Sequence, residues 1–341
     1  VKSATHCQLL LPGMLLEAGT VRQDAPALNT MLRHATHLPG FAGGRDAWLC
    51  RFFGVERQQD WPVAPFSCVG EGLDPGTGYW ICADPVHLQL QRGHFSVIAD
   101  AFKAIDLEQV RQLTDTLNEN FSPDGMRFSA PRVDRWYLHV EAPPNLGTCS
   151  LSEAMGQNAI SSMFQGGDAL QWRARLNEIQ MLLHDHPVNL ELEKRGGLPM
   201  NSLWLWGGGV LPARVERNAV AVWALDPLTR GLAKNHGATV AQLPASAGEW
   251  LENGLQQSTH LIDFGCPKFA DQHNDPRELI EVMKRFEGLW FTPLLQSLWH
   301  GRLARISLHF ATAQRVESYS LTRADMWKFW RRFWPVGARF G

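Results

Sequence analysis

Beyond Ser202 the chain alternates short apolar runs with longer stretches in helical spacing, which leaves few ways to build a core. Residues 202–206 read as a strand, 227–236 as a helix, 259–264 as a strand, 276–295 as a long helix, 304–310 as a strand and 323–333 as a last helix. Strands that alternate with helices build a mostly parallel sheet covered on both faces. The amino-terminal part joins this pattern. Residues 8–11 form a buried strand ending at Pro12-Gly13, 26–35 a helix with Leu28, Met31 and Leu32 on one side, and 45–53 a short helix opened by GFAGGRD. The clearest helix, 106–121, places Leu107, Val110, Leu113, Leu117 and Phe121 at three- and four-residue steps behind an Asp106 N-cap. A strand over 136–140 follows, then a helix over 168–183 with Trp172, Leu176, Ile179 and Leu183 in register. The turn-rich LDPGTG at 73–78 marks a candidate lobe boundary.

A length of 341 residues suits two lobes better than one core. Hydrophobic residues make up 45% and charged residues 19%, the balance of a soluble globular chain, and a formal net charge of −2 sets up no field to recruit nucleic acid. None of the six cysteines forms a CxxC pair, so a zinc knuckle has no support and they read as small core thiols. The apolar LLLPGMLL at 9–16 is short, broken by Pro12 and followed by Glu17 without a cleavage pattern, so it does not read as a signal peptide. No run approaches the ~18 apolar residues of a membrane span. The chain reads as cytoplasmic.

Several stretches carry residues with chemical potential. Gly207-Gly208-Gly209 fits neither GxGxxG nor GxxxxGK[ST] and runs into VLPAR instead of opening a helix, so no helix N-terminus stands behind its amides. His184, Asp185 and His186 are metal-type ligands, but they fall at a helix end before Pro187, where histidine also interacts well with the helix dipole. His260 and Asp263 in STHLIDFG stand beside a strand end, where ligands of open sheets collect. DQHND at 271–275 is either a ligand-bearing or a solvated polar loop. In the tail MWKFWRRFW, Trp327, Trp330 and Trp334 lie at helical steps, with Lys328, Arg331 and Arg332 elsewhere around the helix. That stripe either docks on the body of the protein or meets a membrane surface. There is no GxSxG elbow, and spacing alone assembles no Cys/His pair.

Taken as one pattern, HPVN (186–189), RGGLPMN (195–201) and SLWLWGGG (202–209) resemble a segment of the archaeal-type cofactor-independent phosphoglycerate mutases. FAGGRDAWLCRFFGVE resembles that family's P-G-S-D helix start, DLEQVRQLTDTLNENFSPDGMRF the helix of its inserted lobe, and DPLTRGLAKNHGATVAQLP its return to the core. A closer resemblance is to the RpfE-type regulatory proteins, through VERQ-DWPVAP, ADPVHL, LNE-QMLLH-HPVN and NSLWLWGGG. The mutase resemblance implies an alkaline-phosphatase-like core with two metal ions and a serine that carries the phosphoryl group. Several implied positions are changed. The metal-binding Asp-Gly at the end of the first strand is Pro12-Gly13, and the G-S-D nucleophile triplet is Gly44-Arg45-Asp46. The late Asp-His pair is Leu308-His309, and the two phosphate-binding arginines are Leu192 and Trp206. Arginine stays charged and cannot accept a phosphoryl group.

The expected fold is therefore α/β, with an alkaline-phosphatase-like, mostly parallel sheet flanked by helices built from residues 1–75 and 202–341, and a smaller α+β lobe inserted over 76–201. The expected function is that of a catalytically degenerate mutase-like protein with a ligand-binding or regulatory role, with no metal or other cofactor. The alternative is an active metal-dependent phosphoglycerate mutase or phosphatase with a rearranged site, using Mn or Zn. No residue is given a catalytic or metal-binding role. The ligand-pocket candidates are Arg45, Asp46, His186, Asn189, Asn201, Asp263 and His309. Arg45 either offers its guanidinium to a carboxylate or phosphate or pairs internally with Asp46 or another acid. The partners expected are a small anionic ligand or a regulatory protein, with no nucleic acid and no membrane span.

Overall fold

The computed structural model describes residues 5–14, 25–91, 94–98, 105–154, 163–213, 220–253, 257–265 and 276–328. The chain divides into two compact units, Val1–Leu49 with Arg214–Gly341 and Cys50–Ala213. The first unit begins with β1 (His6–Pro12), α1 (Pro26–His34), β2 (Thr36–Ala42) and α2 (Arg45–Phe52), within which the division falls. The second unit holds α3 (Val63–Glu71), β3 (Tyr79–Gln91), β4 (His94–Ile98), α4 (Leu107–Phe121), β5 (Met126–Arg132), β6 (Arg135–Val140), β7 (Gly147–Thr148), α5 (Leu151–Ala154), β8 (Phe164–Gln165), α6 (Ala169–His184), α7 (Pro187–Lys194) and β9 (Ser202–Val210). The chain returns to the first unit through β10 (Val220–Ala224), α8 (Pro227–Asn235), β11 (Thr239–Ala241), α9 (Ala247–Asn253) and β12 (Thr259–Asp263). It continues there through α10 (Pro276–Phe286), α11 (Thr292–Trp299), β13 (Arg305–Ala311) and β14 (Arg315–Thr322).

Among the described residues, the first unit holds a seven-stranded sheet in the order β11-β10-β12-β1-β13-β14-β2. The strands from β11 to β13 run parallel, and β14 is antiparallel to both of its neighbours. This is the mixed α/β, mostly parallel sheet flanked by helices that the alternating pattern predicts. Strand side chains alternate between faces. On one face Cys7, Leu9, Leu11, Ile262, Ile306, Leu308 and Phe310 join an apolar cluster with Leu28 and Met31 of α1, Trp250 of α9, Met283 of α10 and Leu294 and Leu298 of α11. Helix α1 opens on Ala25, which makes no side-chain cap. The buried Glu287 carboxylate supplies one from a distance, accepting from the amides of Ala27 at 2.5 Å and Leu28 at 3.2 Å. Glu287 begins a five-residue π-helical stretch, Glu287–Phe291, that separates α10 from α11 where the sequence predicts one uninterrupted helix.

In the second unit β4-β3-β6-β5 form an antiparallel sheet, and β9 pairs with β3. Residues 202–206, expected in the parallel core sheet, lie here instead, with Leu205 beside Ala83 and Trp206 beside Cys82. A strand buried on both faces reads the same whichever sheet receives it. The strand also runs on through the three glycines to Val210. A Cβ on Gly207 would lie 2.9 Å from Cβ of Val63, one on Gly208 2.5 Å from the Tyr79 hydroxyl, and one on Gly209 2.5 Å from Cβ of Pro62. The glycines thus form the seat on which the start of α3 packs. Helix α4 is capped as its sequence predicts: Asp106 accepts from the Gln109 amide while Gln109 reaches back to the Asp106 amide. Leu107, expected on its buried stripe, is 46% exposed.

Replacing Gly209 by alanine is expected to lower unfolding stability by about 1–3 kcal/mol through overpacking against Pro62. Urea denaturation measures this, and an unchanged midpoint refutes the seating role of the glycine.

Candidate functional site

Three loops of the first unit bring charged side chains together at the carboxyl ends of its parallel strands, the edge where open α/β sheets bind ligands. Gly43 and Gly44 lead into α2 against the β13–β14 turn. The Gly43 amide donates to the carbonyl of Gln314 at 2.8 Å, and a Cβ on Gly44 would come within 2.6 Å of the carbonyl oxygen of Ala313. Arg45 is therefore the first residue of α2, a place where the helix dipole disfavours a cation. Three acids offset that. Its Nη1 lies 2.9 Å from Asp46 Oδ1. Its Nη2 lies 3.0 Å from Asp226 Oδ1 and 2.5 Å from Asp263 Oδ2. The same Nη2 donates to Thr229 Oγ1 at 3.1 Å, and Nε donates to Asp263 Oδ1 at 3.4 Å.

Asp226 and Asp263 are also fixed by their own loops. Asp226 caps α8 by accepting from the Thr229 amide at 3.2 Å. Asp263 ends β12, is fully buried, and accepts from the Gly265 amide at 3.0 Å and the Thr229 hydroxyl at 2.5 Å. Burial by itself would lower the Arg45 pKa, but Asp226, Asp263 and Asp46 outweigh it and hold the guanidinium protonated well above its usual range. One guanidinium against three carboxylates leaves the group negative overall. The geometry is the internal-pairing alternative for Arg45, with its donors turned to these acids. Asp226 and Thr229 were not singled out from the sequence. Their only signal was the Asp-Pro start of α8 after an apolar strand, which reads as an ordinary N-cap.

The same face of the sheet carries a buried polar row beside this group. His309 approaches Ser318 Oγ through Nδ1 at 2.8 Å and Gln8 Oε1 through Nε2 at 3.2 Å, and its ring lies 4.5 Å from that of Trp48. His6 Nε2 bonds Ser307 Oγ at 2.8 Å. Burial, with His6 nearby, lowers the His309 pKa to about 3. Burial, with Arg305 nearby, lowers that of His6 to about 4.

The candidates in the second unit hold backbone. Asn189 donates to the carbonyls of Leu183 and Met200 at 2.7 and 2.8 Å and accepts from the Met200 amide at 2.9 Å. Asn201 accepts from the Leu88 amide at 2.7 Å and donates to its carbonyl at 2.9 Å, so one side chain extends the β3–β9 ladder by a step. His186 is the N-cap of α7, accepting from the Val188 amide at 3.2 Å, not a cationic cap on the C-terminus of α6. Trp206 donates its indole N–H to Asp84 at 2.8 Å. His260, in the first unit, meets Trp223 Nε1 at 3.3 Å and the Gln257 carbonyl at 3.0 Å. The DQHND loop, Cys266, Trp330 and Trp334 lie outside the described residues.

Among the described residues, the positions that the mutase resemblance implies do not offer ligands for its pair of metal ions. Leu308 lies in the apolar cluster on the opposite face, both nitrogens of His309 face hydrogen-bond partners, and the Arg45 guanidinium fills the space between the acids. Among the described residues no group of three or more His, Cys, Asp and Glu side chains is arranged to hold a metal ion.

No protein-family model matches the chain. It is similar at low identity to 2,3-bisphosphoglycerate-independent phosphoglycerate mutases. A probable enzyme of this kind from Geobacter sulfurreducens is 24% identical over 250 residues, which are 69% of this chain and 61% of the relative. One from Methanosarcina mazei is 30% identical over 214 residues, 56% of this chain and 53% of the relative. The chain thus matches between half and two thirds of the length of these relatives. Among solved structures, the PH0037 protein from Pyrococcus horikoshii superposes with a TM-score of 0.57 at 14% identity, over 94% of this chain and 88% of that one. That likeness supports the fold.

Two outcomes follow from this geometry. Arg45→Met strands the buried Asp263 and is expected to cost about 3–5 kcal/mol in chemical denaturation at neutral pH. His309 and His6 are neutral in the folded chain and take up protons more readily when unfolded, so stability is full above pH 6.5 and falls as the pH drops below it. His309 contributes a slope of up to about 1.4 kcal/mol per pH unit, which His309→Gln should remove from a series of melts between pH 7 and pH 4.

Proposed function

We propose that this chain is a catalytically degenerate, phosphoglycerate-mutase-like protein with a regulatory or ligand-binding role, in keeping with its resemblance to the RpfE-type regulatory proteins. The observation that carries the reading is the Arg45 guanidinium at the centre of the carboxyl-edge site, held by Asp46, Asp226 and Asp263. Phosphoryl transfer through an enzyme-bound intermediate needs a nucleophile and concentrated positive charge to meet the transferring group. A guanidinium is no nucleophile, and three carboxylates cancel its charge. Incoming phosphate would meet a negative cluster. This argues against a small anion held by Arg45 and leaves a regulatory protein partner as the proposed ligand. The cytoplasmic setting expected from the sequence belongs to the same proposal.

The test is a mutase assay on 3-phosphoglycerate with added Mn²⁺ or Zn²⁺, alongside a thermal-shift series in phosphate and 3-phosphoglycerate. Turnover no greater than the protein-free control, with no anion-dependent rise in melting temperature, is expected. Turnover by the wild-type chain, abolished by a chelator, would instead establish the metal-dependent enzyme.

A further inference from the structure

We propose that Arg45 is a built-in counter-cation that keeps divalent metal out of the carboxyl-edge site, and that the oxygens around its Nη2 atom form a single-cation site once the guanidinium is removed. The inference rests on the reading of the chain as non-catalytic and adds a physical cause for it.

Nη2 is a point of convergence. Asp226 Oδ1, Thr229 Oγ1 and Asp263 Oδ2 all lie within 3.1 Å of it, at 3.0, 3.1 and 2.5 Å. Three oxygens from two loops thus meet around one atom of positive charge. They need small inward movements to reach the 2.0–2.6 Å, or about that range, at which Mg²⁺, Mn²⁺ or Ca²⁺ takes oxygen ligands. Their positions do not depend on Arg45 alone. Asp226 is fixed by the Thr229 amide, Asp263 by the Gly265 amide, and the Thr229 hydroxyl by Asp263. A donor set held in place by its own backbone keeps its shape when the cation it surrounds is changed.

The chemistry of the set selects the cation. Two carboxylates and a hydroxyl are hard ligands and suit a cation that keeps several waters, as Mg²⁺ and Mn²⁺ do. Imidazole would favour zinc, and His309 has both nitrogens directed at Ser318 and Gln8. Asp46 lies on the Nη1 side, 2.9 Å from that atom, where its charge adds to the attraction. With the guanidinium gone, the fully buried Asp263 carboxylate is left without its cation, which favours binding of another.

The experiment is an Mn²⁺ titration followed by electron paramagnetic resonance and by thermal melts, on wild type, Arg45→Ala, Arg45→Gln and Arg45→Ala with Asp263→Asn. We expect about one Mn²⁺ per chain in Arg45→Ala, together with a rise in its melting temperature of several degrees. Wild type should bind no Mn²⁺ at this site and show no shift. Asp263→Asn in the Arg45→Ala background should weaken the affinity at least roughly tenfold, as loss of a ligand does. An alanine variant that folds only when Mn²⁺ is present counts as support. The inference is overturned if neither Arg45→Ala nor Arg45→Gln shows saturable Mn²⁺ binding, including the case in which both stay unfolded with the ion present. It is also overturned if wild type binds Mn²⁺ as tightly as Arg45→Ala does. Mutase turnover by wild type would defeat the non-catalytic reading, whereas silence of the Arg45 variants in Mn²⁺ defeats only the counter-cation role.

Discussion

β1 lies between two parallel neighbours, β12 on one edge and β13 on the other. A strand in that position has its backbone groups paired on both edges and both faces buried, so everything around it must supply cover. One cover is apolar and large: Cys7, Leu9 and Leu11 face the helices α1, α9, α10 and α11. The other carries the partly buried His6 and Gln8 into a row with the buried Ser307, His309 and Ser318, in which each side chain finds a neighbour. The contrast between the two faces of one strand places the polar chemistry of this unit. Helix α2 lies on the polar face, with Trp48 against His309, and its first residue is Arg45.

The charge at that point is held by competition between two large effects. Taking a guanidinium out of water costs several kcal/mol, and a helix N-terminus adds to the cost. Three carboxylates reverse the balance only because their loops aim them at it. Asp226 arrives from the turn after β10 and Asp263 from the end of β12, and the two strands are themselves paired, with Ala224 beside Asp263. The register of the sheet therefore sets the spacing between the acids. A buried pair of this kind adds little net stability compared with apolar packing, and its stronger effect is on which arrangement of the loops survives.

How much of this was legible depended on whether the deciding interaction was local. Helix α4 could be read from Asp106 and Gln109, and α1 and α8 from Pro26 and Pro227 in their first turns. The strand-and-helix alternation gave the parallel sheet. By contrast, α3 has its residues from Val63 to Cys68 buried, so it shows no amphipathic period from which to read it. The sheet that receives β9 is decided by its pairing with β3, more than a hundred residues away in sequence, and no local signal carries that choice. In the site, Arg45 was visible because it stands where a serine was implied. Asp226 looked like any helix cap, and its second role appears only when β10 and β12 are side by side. His186 was legible as a capping residue but at the wrong helix, because Pro187, which ends one helix in the sequence, begins the next in the fold.

The triple glycine and the Arg45 group are alike in one respect. In both, a position that the mutase resemblance assigns to phosphate chemistry is occupied by a group satisfied from within. Trp206 turns its indole N–H to Asp84, and the glycines after it admit Pro62, Val63 and Tyr79. Arg45 turns its donors to the acids of three loops. Leaving either place empty would bury unpaired polar atoms or open a gap, each costing on the order of 1–3 kcal/mol. In a fold of marginal stability such a place needs a side chain that both fills it and satisfies its polar neighbours. A tryptophan and an arginine, both large and both donors, meet that condition where alanine would not.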